Sequence, residues 1–308
     1  MLDVALLGTG GTLPLPGRFL SSVLVRYSGK LILCDCGEGT QVSLRGLAWG
    51  LREIGTILIS HFHADHISGL PGLLLTIGNS ERGPDEPLTI VGPKGLTRIV
   101  DGLRVIAPHL PYPVRILEWS GRADDALFIG DLKIRCTPAD HEIACLAWRM
   151  DLPRKAEFLP LKARELGIPL ALWRHLQRGE TVQVEGKAVA PSAVMGPPRS
   201  GVSFGFVTDS RPTQNIAEFM SDVDLLICEG TYGDPEDRHK AIANKHMTFG
   251  ESSMLALAAR AKRLWLTHFS PSMPNPDYFR REAEKVYPNV VIGHEYLNET
   301  LRFVDVGE

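Results

Sequence analysis

Short apolar runs recur along the chain, each closed by a glycine or by a polar side chain. "VALLGTG" (4–10), "SSVLVRY" (21–27) and "LILCDCGEG" (31–39) predict strands around Gly-rich turns. The run Thr56–Ile59 predicts a further strand that stops at "SHFHADH" (60–66), and "GLPGLLLTIGN" (69–79) then has the length and dense apolar face of a helix. Strands follow in "PLTIVGPKG" (87–95), "LKIRCTPADH" (132–141), "VSFGFVTDS" (202–210), "VDLLICEG" (223–230) and "RLWLTHFS" (263–270). The order is strand, polar residue at its tip, then helix or loop. It predicts an α/β protein whose reactive side chains sit on loops at one edge of its sheets.

One stretch departs from this order. Residues 151–187 are rich in charge and flanked by prolines, which predicts an inserted arm on an otherwise single domain spanning 1–308. From Arg154 to Arg178, six Lys or Arg (Arg154, Lys155, Lys162, Arg164, Arg174, Arg178) face two Glu. Charge alone is equally consistent with a solvated helix face.

The tips of the predicted strands carry the chemistry. His61, His63, Asp65 and His66 lie within six positions, and for packing alone that cluster would cost several kcal/mol in unpaired polar groups. Imidazole nitrogen and carboxylate oxygen are zinc ligands, and hydrolytic sites leave a position open for water. His61 and His63, two apart past a strand end, can turn both rings onto one ion. Asp65 and His66 lie further round the turn and face a second. His141 and His268 each end a β-rich run and can supply one ligand per ion, with Asp209 bridging. Taken singly, His141 and His268 also fit hydrogen-bonded core histidines.

Composition narrows the setting. The 308 residues are 44% hydrophobic and 22% charged, ordinary for a globular chain. The N-terminal "MLDVALLGTGG" shows no signal-peptide pattern, and no run approaches the ~20 apolar residues of a membrane span. Five cysteines without a CxxC pair suggest reduced, mostly buried thiols in a cytoplasmic protein. A formal charge of −3 means that any nucleic-acid partner must be met by a local patch.

"HFHADH" matches the HxHxDH signature of the metallo-β-lactamase superfamily, and the chain resembles one branch of it, the ribonuclease Z (tRNA 3′-endonuclease) family. The resemblance is carried in order by "LLGTGG" (6–11), "DCGEGTQ" (35–41), "HADHISGLPGLL" (63–74), "VGPKG" (91–95), "VTDSRP" (207–212) and "LTHFS" (266–270). It implies a four-layer αβ/βα sandwich of two mixed sheets flanked by helices. It also implies two Zn2+ per subunit, with Mn2+ an alternative. His61, His63 and His141 match one ion's ligands, Asp65, His66 and His268 the other's, and Asp209 the bridge. Asp65 matches the proton acceptor for the attacking water. Asp35 matches a residue orienting a ligand histidine, although by itself it reads also as a charge at a strand end.

"CEGTY" (228–232) and His246 resemble the family's His-Glu-Ala-Thr motif and its downstream histidine, a Glu–His pair that protonates the leaving oxygen. By itself His246 fits a helix-cap histidine too. The resemblance further implies a homodimer acting on precursor tRNA, whose body is gripped by the basic arm. Two departures touch substrate grip: Leu170 and Ala171 replace the arm's usual Gly-Pro, and "SPSM" (270–273) lacks the arginine often found there. They leave open a hydrolase of small phosphodiesters or esters on the same scaffold, and a non-catalytic RNA-binding relic is the third alternative.

Overall fold

The computed structural model describes residues 1–304. Its strands, in chain order, are β1 (Leu2–Gly8), β2 (Ser22–Tyr27), β3 (Lys30–Cys34), β4 (Ile54–Leu58), β5 (Leu88–Pro93), β6 (Val114–Trp119), β7 (Ala126–Ile129), β8 (Leu132–Ala139) and β9 (Cys145–Arg154). There follow β10 (Val182–Val184), β11 (Lys187–Val189), β12 (Arg199–Val207), β13 (Leu225–Glu229), β14 (Leu264–Thr267), β15 (Val290–Ile292) and β16 (Asn298–Leu301).

Two seven-stranded sheets run β16-β1-β2-β3-β4-β5-β6 and β15-β14-β13-β12-β9-β8-β7. Both are mixed. In the first, β1 pairs antiparallel with β2 and β16 while β3 to β6 run parallel. In the second, β12 to β15 are parallel and β7 to β9 antiparallel.

Side-chain alternation shows how the layers stack. Leu31 and Leu33 of β3 share an apolar cluster with Leu70, Leu73 and Leu74 of the helix Leu70–Gly78. Ile32 and Cys34 point to the opposite face and are just as inaccessible. Likewise Leu226 and Cys228 of β13 pack with Phe249 and Leu255 of the helix Phe249–Ala258, while Leu225 and Ile227 are buried on the other face. Each sheet is therefore covered on both faces, by helices outside and the other sheet inside. Strands buried on two sides need continuous apolar runs, which is why "LLIC" shows no polar alternation. The expected four-layer sandwich is the observed fold.

By contact density the chain divides into Met1–Leu152 with Val202–Arg302, and a smaller unit of Pro153–Gly201 with the chain from Phe303. The smaller unit holds the helices Pro160–Glu165 and Leu170–Gln177 and the hairpin β10–β11. Its own core consists of Ala163, Ile168, Leu176, Val182 and Val194, with Phe158 packed at 5.1 Å on Trp173. The basic stretch read at 151–187 overlaps it. The unit continues to Gly201 because Val194 returns to that core and Met195 bridges to Phe158.

All five cysteines are free and buried. No helix among the described residues is long and apolar enough to cross a membrane. Replacement of the inaccessible Leu226 by Ala should cost ~2–5 kcal/mol of stability, whereas Val105→Ala, at a side chain 74% exposed, should stay within ~0.5 kcal/mol. Urea denaturation midpoints of the two variants check both values.

Candidate metal centre

The candidate site is assembled at the carboxyl ends of strands from both sheets. Asp35 follows β3, the stretch from Ser60 to His66 follows β4, and His141 lies just past β8. Asp209 follows β12, Glu229 ends β13, and His268 follows β14. A parallel strand releases its chain at that end, so the next residues project into the crevice above the sheet.

Two donor sets converge there. His61, His63, His141 and Asp209 form one, with all ligand atoms within 4.8 Å of one another. His63 Nδ1 stands 3.1 Å from His61 Nε2 and 3.2 Å from His141 Nε2. Asp65, His66 and His268 form the other, with His66 Nε2 and His268 Nε2 3.2 Å apart and each 3.4 Å from Asp65 Oδ2. Asp209 faces both. Its Oδ2 lies 3.5 Å from His61 Nε2, and its Oδ1 lies 3.3 and 3.1 Å from His66 and His268 Nε2. Asp209, His246 and His268 make a third grouping, overlapping the first two.

These spacings fit a metal better than a hydrogen-bonded cluster. Donors ~2.0–2.2 Å from a tetrahedral ion stand ~3.3–3.6 Å apart, near the separations found. The charges agree. Burial, with the neighbouring His66 imidazole, pushes His61 well below the usual histidine range, and burial also lowers His141, so both rings are neutral lone-pair donors. Burial raises the Asp65 and Asp209 carboxyls, but His268 and His66 around them prevail and hold both well below the carboxylate range. Burial lowers His66, yet the carboxylates of Asp209 and Asp35 outweigh it and drive its pKa well up. The ion-pair partners of Asp35, Asp65 and Asp209 are histidines, with no lysine or arginine among the described residues. Buried carboxylates that lack a fixed cation are a place for a bound one.

A second ring of contacts fixes the rings. Asp35, fully buried, accepts from Ser60 N (2.7 Å), Ser60 Oγ (2.7 Å) and His66 Nδ1 (2.8 Å). Because Ser60 Oγ donates to Asp35, it accepts from His61 Nδ1 at 3.0 Å. One carboxylate thus orients two histidines with Nε2 free. His141 Nδ1 donates to Lys245 O, and His268 Nδ1 to Thr231 Oγ1 at 3.0 Å. Thr12 N donates to Asp65 Oδ2 at 2.6 Å. Asp35 and His268 hold left-handed backbone, φ 57° and 60°, at a cost of ~1–3 kcal/mol each that the surrounding packing must offset. Gly11 makes room for His268: a Cβ there would stand 2.6 Å from its ring.

Glu229 and His246 meet beside the donor sets. The inaccessible Glu229 accepts from Ser210 N (2.8 Å), Met247 N (3.0 Å) and Thr231 Oγ1 (2.6 Å), and its Oε1 lies 3.2 Å from His246 Nδ1. Burial lowers the His246 pKa, but the Glu229 carboxylate outweighs it and raises the value to about 9. His246 stacks on His268 at 5.4 Å and puts Nε2 3.9 Å from Asp209. It does not cap a helix; Thr248 and Glu251 form the capping box of the following one.

Of the basic side chains singled out in the sequence, Lys155, Lys162, Arg164, Arg174 and Arg178 are exposed. Arg154 is half-buried, stacked over Phe303 and donating to Val304 O. All belong to the smaller unit. Leu170, 73% exposed, opens the helix Leu170–Gln177. Ser60, Thr12 and Arg18 escaped the sequence reading, and Thr231 entered it only within the "CEGTY" match, without a role of its own. Arg18 donates to Met273 O (2.8 Å) and Pro274 O (2.9 Å), holding the loop after His268 that lacks an arginine of its own. Single Ser, Thr and Arg positions far apart in sequence give no local signal.

A family model described as Anti-Pycsar protein Apyc1 matches residues 2–91, less than half of the chain. A protein named ribonuclease Z from Clostridium kluyveri is 46% identical over 98% of this chain and 99% of its own length. One of the same name from Lachnospira eligens is 45% identical over 100% of both. The chain belongs to the ribonuclease Z family. Among solved structures, the short form of human tRNase Z superposes with a TM-score of 0.69 at 24% identity, covering 98% of this chain and 100% of that one. The metallo-β-lactamase fold protein YhfI of Bacillus subtilis gives 0.70 at 20% identity, covering 97% and 98%. Both establish the fold, as expected from the HxHxDH stretch.

Removing the carboxylate that aims two histidines, in Asp35→Ala, should lower metal affinity or activity ~10–100-fold, measured by metal titration alongside circular dichroism. Gly11→Ala should displace the His268 ring and weaken metal binding while leaving the far-ultraviolet spectrum unchanged. Full metal content in both variants would contradict these assignments.

Proposed function

We propose that the protein is a metal-dependent endoribonuclease that cuts the 3′ trailer from precursor tRNA and leaves a 3′ hydroxyl. The observation that carries this reading is the pair of donor sets sharing Asp209, in a chain 46% identical over nearly its whole length to a protein named ribonuclease Z. The donors suit two Zn2+ per subunit, and Mn2+ takes the same nitrogen and oxygen ligands. His61, His63 and His141 would hold one ion, Asp65, His66 and His268 the other, with Asp209 between. Bound there, the ions supply Lewis acidity at the scissile phosphate and acidify the attacking water.

Asp65 accepts the proton as the water oxygen bonds to phosphorus. Its carboxylate is held for this by Thr12 N. The bond from phosphorus to the 3′ oxygen breaks. His246, charged by its neighbour Glu229, delivers a proton to that oxygen. The products are a 3′ hydroxyl on the tRNA and a 5′ phosphate on the trailer. Asp35 acts through His61 and His66 as a positioning residue.

Arg154, Lys155, Lys162, Arg164, Arg174 and Arg178 are the proposed grip on the tRNA body, an inserted arm read at 151–187. Backbone contacts of this kind recognise shape and not sequence. A cytoplasmic homodimer completes the reading, supported by the family's pattern in the sequence.

Incubation with a 3′-extended precursor tRNA, the cut mapped to the nucleotide, tests the proposal. Chelation should abolish cleavage and Zn2+ or Mn2+ restore it, while Asp65→Ala should lose at least ~10²-fold, the scale of a lost proton acceptor. Joint Lys162, Arg164, Arg174 and Arg178→Ala substitution should weaken tRNA binding and flatten its salt dependence, with hydrolysis of a small phosphodiester unchanged. Precursor cleavage indifferent to the quadruple change would instead favour the small-diester hydrolase.

A further inference from the structure

A cavity of about 280 Å³ opens beside the donor sets and has no role in the mechanism above. It shares a wall with the catalytic groups. Thr231, on its lining, has Oγ1 3.0 Å from His268 Nδ1 and 3.3 Å from His246 Nδ1. The neighbouring Tyr232 has its ring centroid 6.4 Å from that of His246. The far side is Met273, buried, with Phe279 half-buried and Tyr278 78% exposed. Arg18 pins this side by its two bonds to Met273 O and Pro274 O.

The lining selects its occupant. Asp234 and Asp237 contribute carboxylates, and no lysine or arginine lines the cavity among the described residues. Asp237 is paired with Lys240 at 2.7 Å, and no lining side chain offers a phosphate a positive charge. A flat, neutral ring system with hydrogen-bond donors at its edge would be held, stacked on tyrosine and presenting its edge to carboxylates and hydroxyls. The volume lies just below the ~300–1,000 Å³ of pockets that enclose a drug-sized molecule, enough for one ring system and not for a stretch of chain.

We propose that this cavity receives the base of the nucleotide whose 3′ oxygen departs, the last one retained in the tRNA. The assignment rests on the ribonuclease reading above and deepens it. Its side of the scissile bond follows from His246, which protonates the 3′ oxygen and shares Thr231 and Tyr232 with the cavity; the nucleoside bearing that oxygen is therefore the adjacent one. Tyr278 is the stacking partner. Its base contact fixes where along the chain the phosphate meets the metal donors, so the cavity sets the position of the cut.

The test uses the full metal-loaded chain and one precursor tRNA prepared in two forms, with the last retained nucleotide intact or abasic. Tyr278→Ala should lower kcat/KM on the intact precursor about tenfold, equivalent to ~1.4 kcal/mol of lost stacking. The abasic precursor should be cut about tenfold more slowly by the wild type and no more slowly still by the variant. Tyr278→Phe, which keeps the ring, should match the wild type. Equal slowing of both precursors by Tyr278→Ala would show a structural role and overturn the assignment, as would an unchanged rate on the intact form. Failure of the wild type to cut either precursor while hydrolysing a small phosphodiester would overturn the ribonuclease reading itself, and the base pocket with it.

Discussion

The arrangement depends on carboxylates held in a buried crevice without a fixed cation. Asp209 is inaccessible, yet it aims one oxygen at His61 and the other at His66 and His268. Burying such a group is expensive unless it is paired. The histidines around it do so in part, and His66 is driven toward its protonated form by Asp209 and Asp35. An array of this kind is balanced far better by divalent ions, which take the same lone pairs and bring more charge. The site thus favours metal electrostatically before any ligand distance is counted.

The two sheets make that convergence possible. One sheet delivers Asp35 and the run from His61 to His66; the other delivers His141, Asp209, Glu229 and His268. Neither sheet alone has a complete site. Because each is buried on both faces, strand positions are fixed by packing on two sides, and residues at strand ends inherit that precision. Local strain is tolerated for the same reason: Asp35 and His268 sit in left-handed backbone within a frame that leaves them no alternative.

Function is layered outward from the donors. Asp35, Ser60 and Thr231 hold rings in one tautomer, and Glu229 charges His246 while receiving three donors of its own. Beyond them, Tyr232, Met273 and Tyr278 line an acidic, aromatic cavity that continues from the same threonine. Chemistry that is indifferent to sequence and a surface able to sense a base are thereby joined through one shared wall.

The sequence by itself determined a good deal. Strands with no polar alternation are readable because a strand buried on two faces must be apolar throughout, and their ends coincide with the polar residues that close each run. His61, His63, Asp65 and His66 were legible because six positions packed with His and Asp have no purpose in a core, whereas His141, Asp209 and His268 were marked only by their places at strand ends and Asp35 only by the family resemblance. The edge strands were not legible. β6 and β7 are only partly buried, so they carry no continuous apolar run to mark them. Only the tertiary structure decided which Asp209 oxygen faces which set, that Ser60 relays Asp35 to His61, and that Arg18 braces a loop 255 residues away. Such contacts depend on how sheets and loops pack across the whole chain, and a pattern confined to neighbouring residues does not encode them.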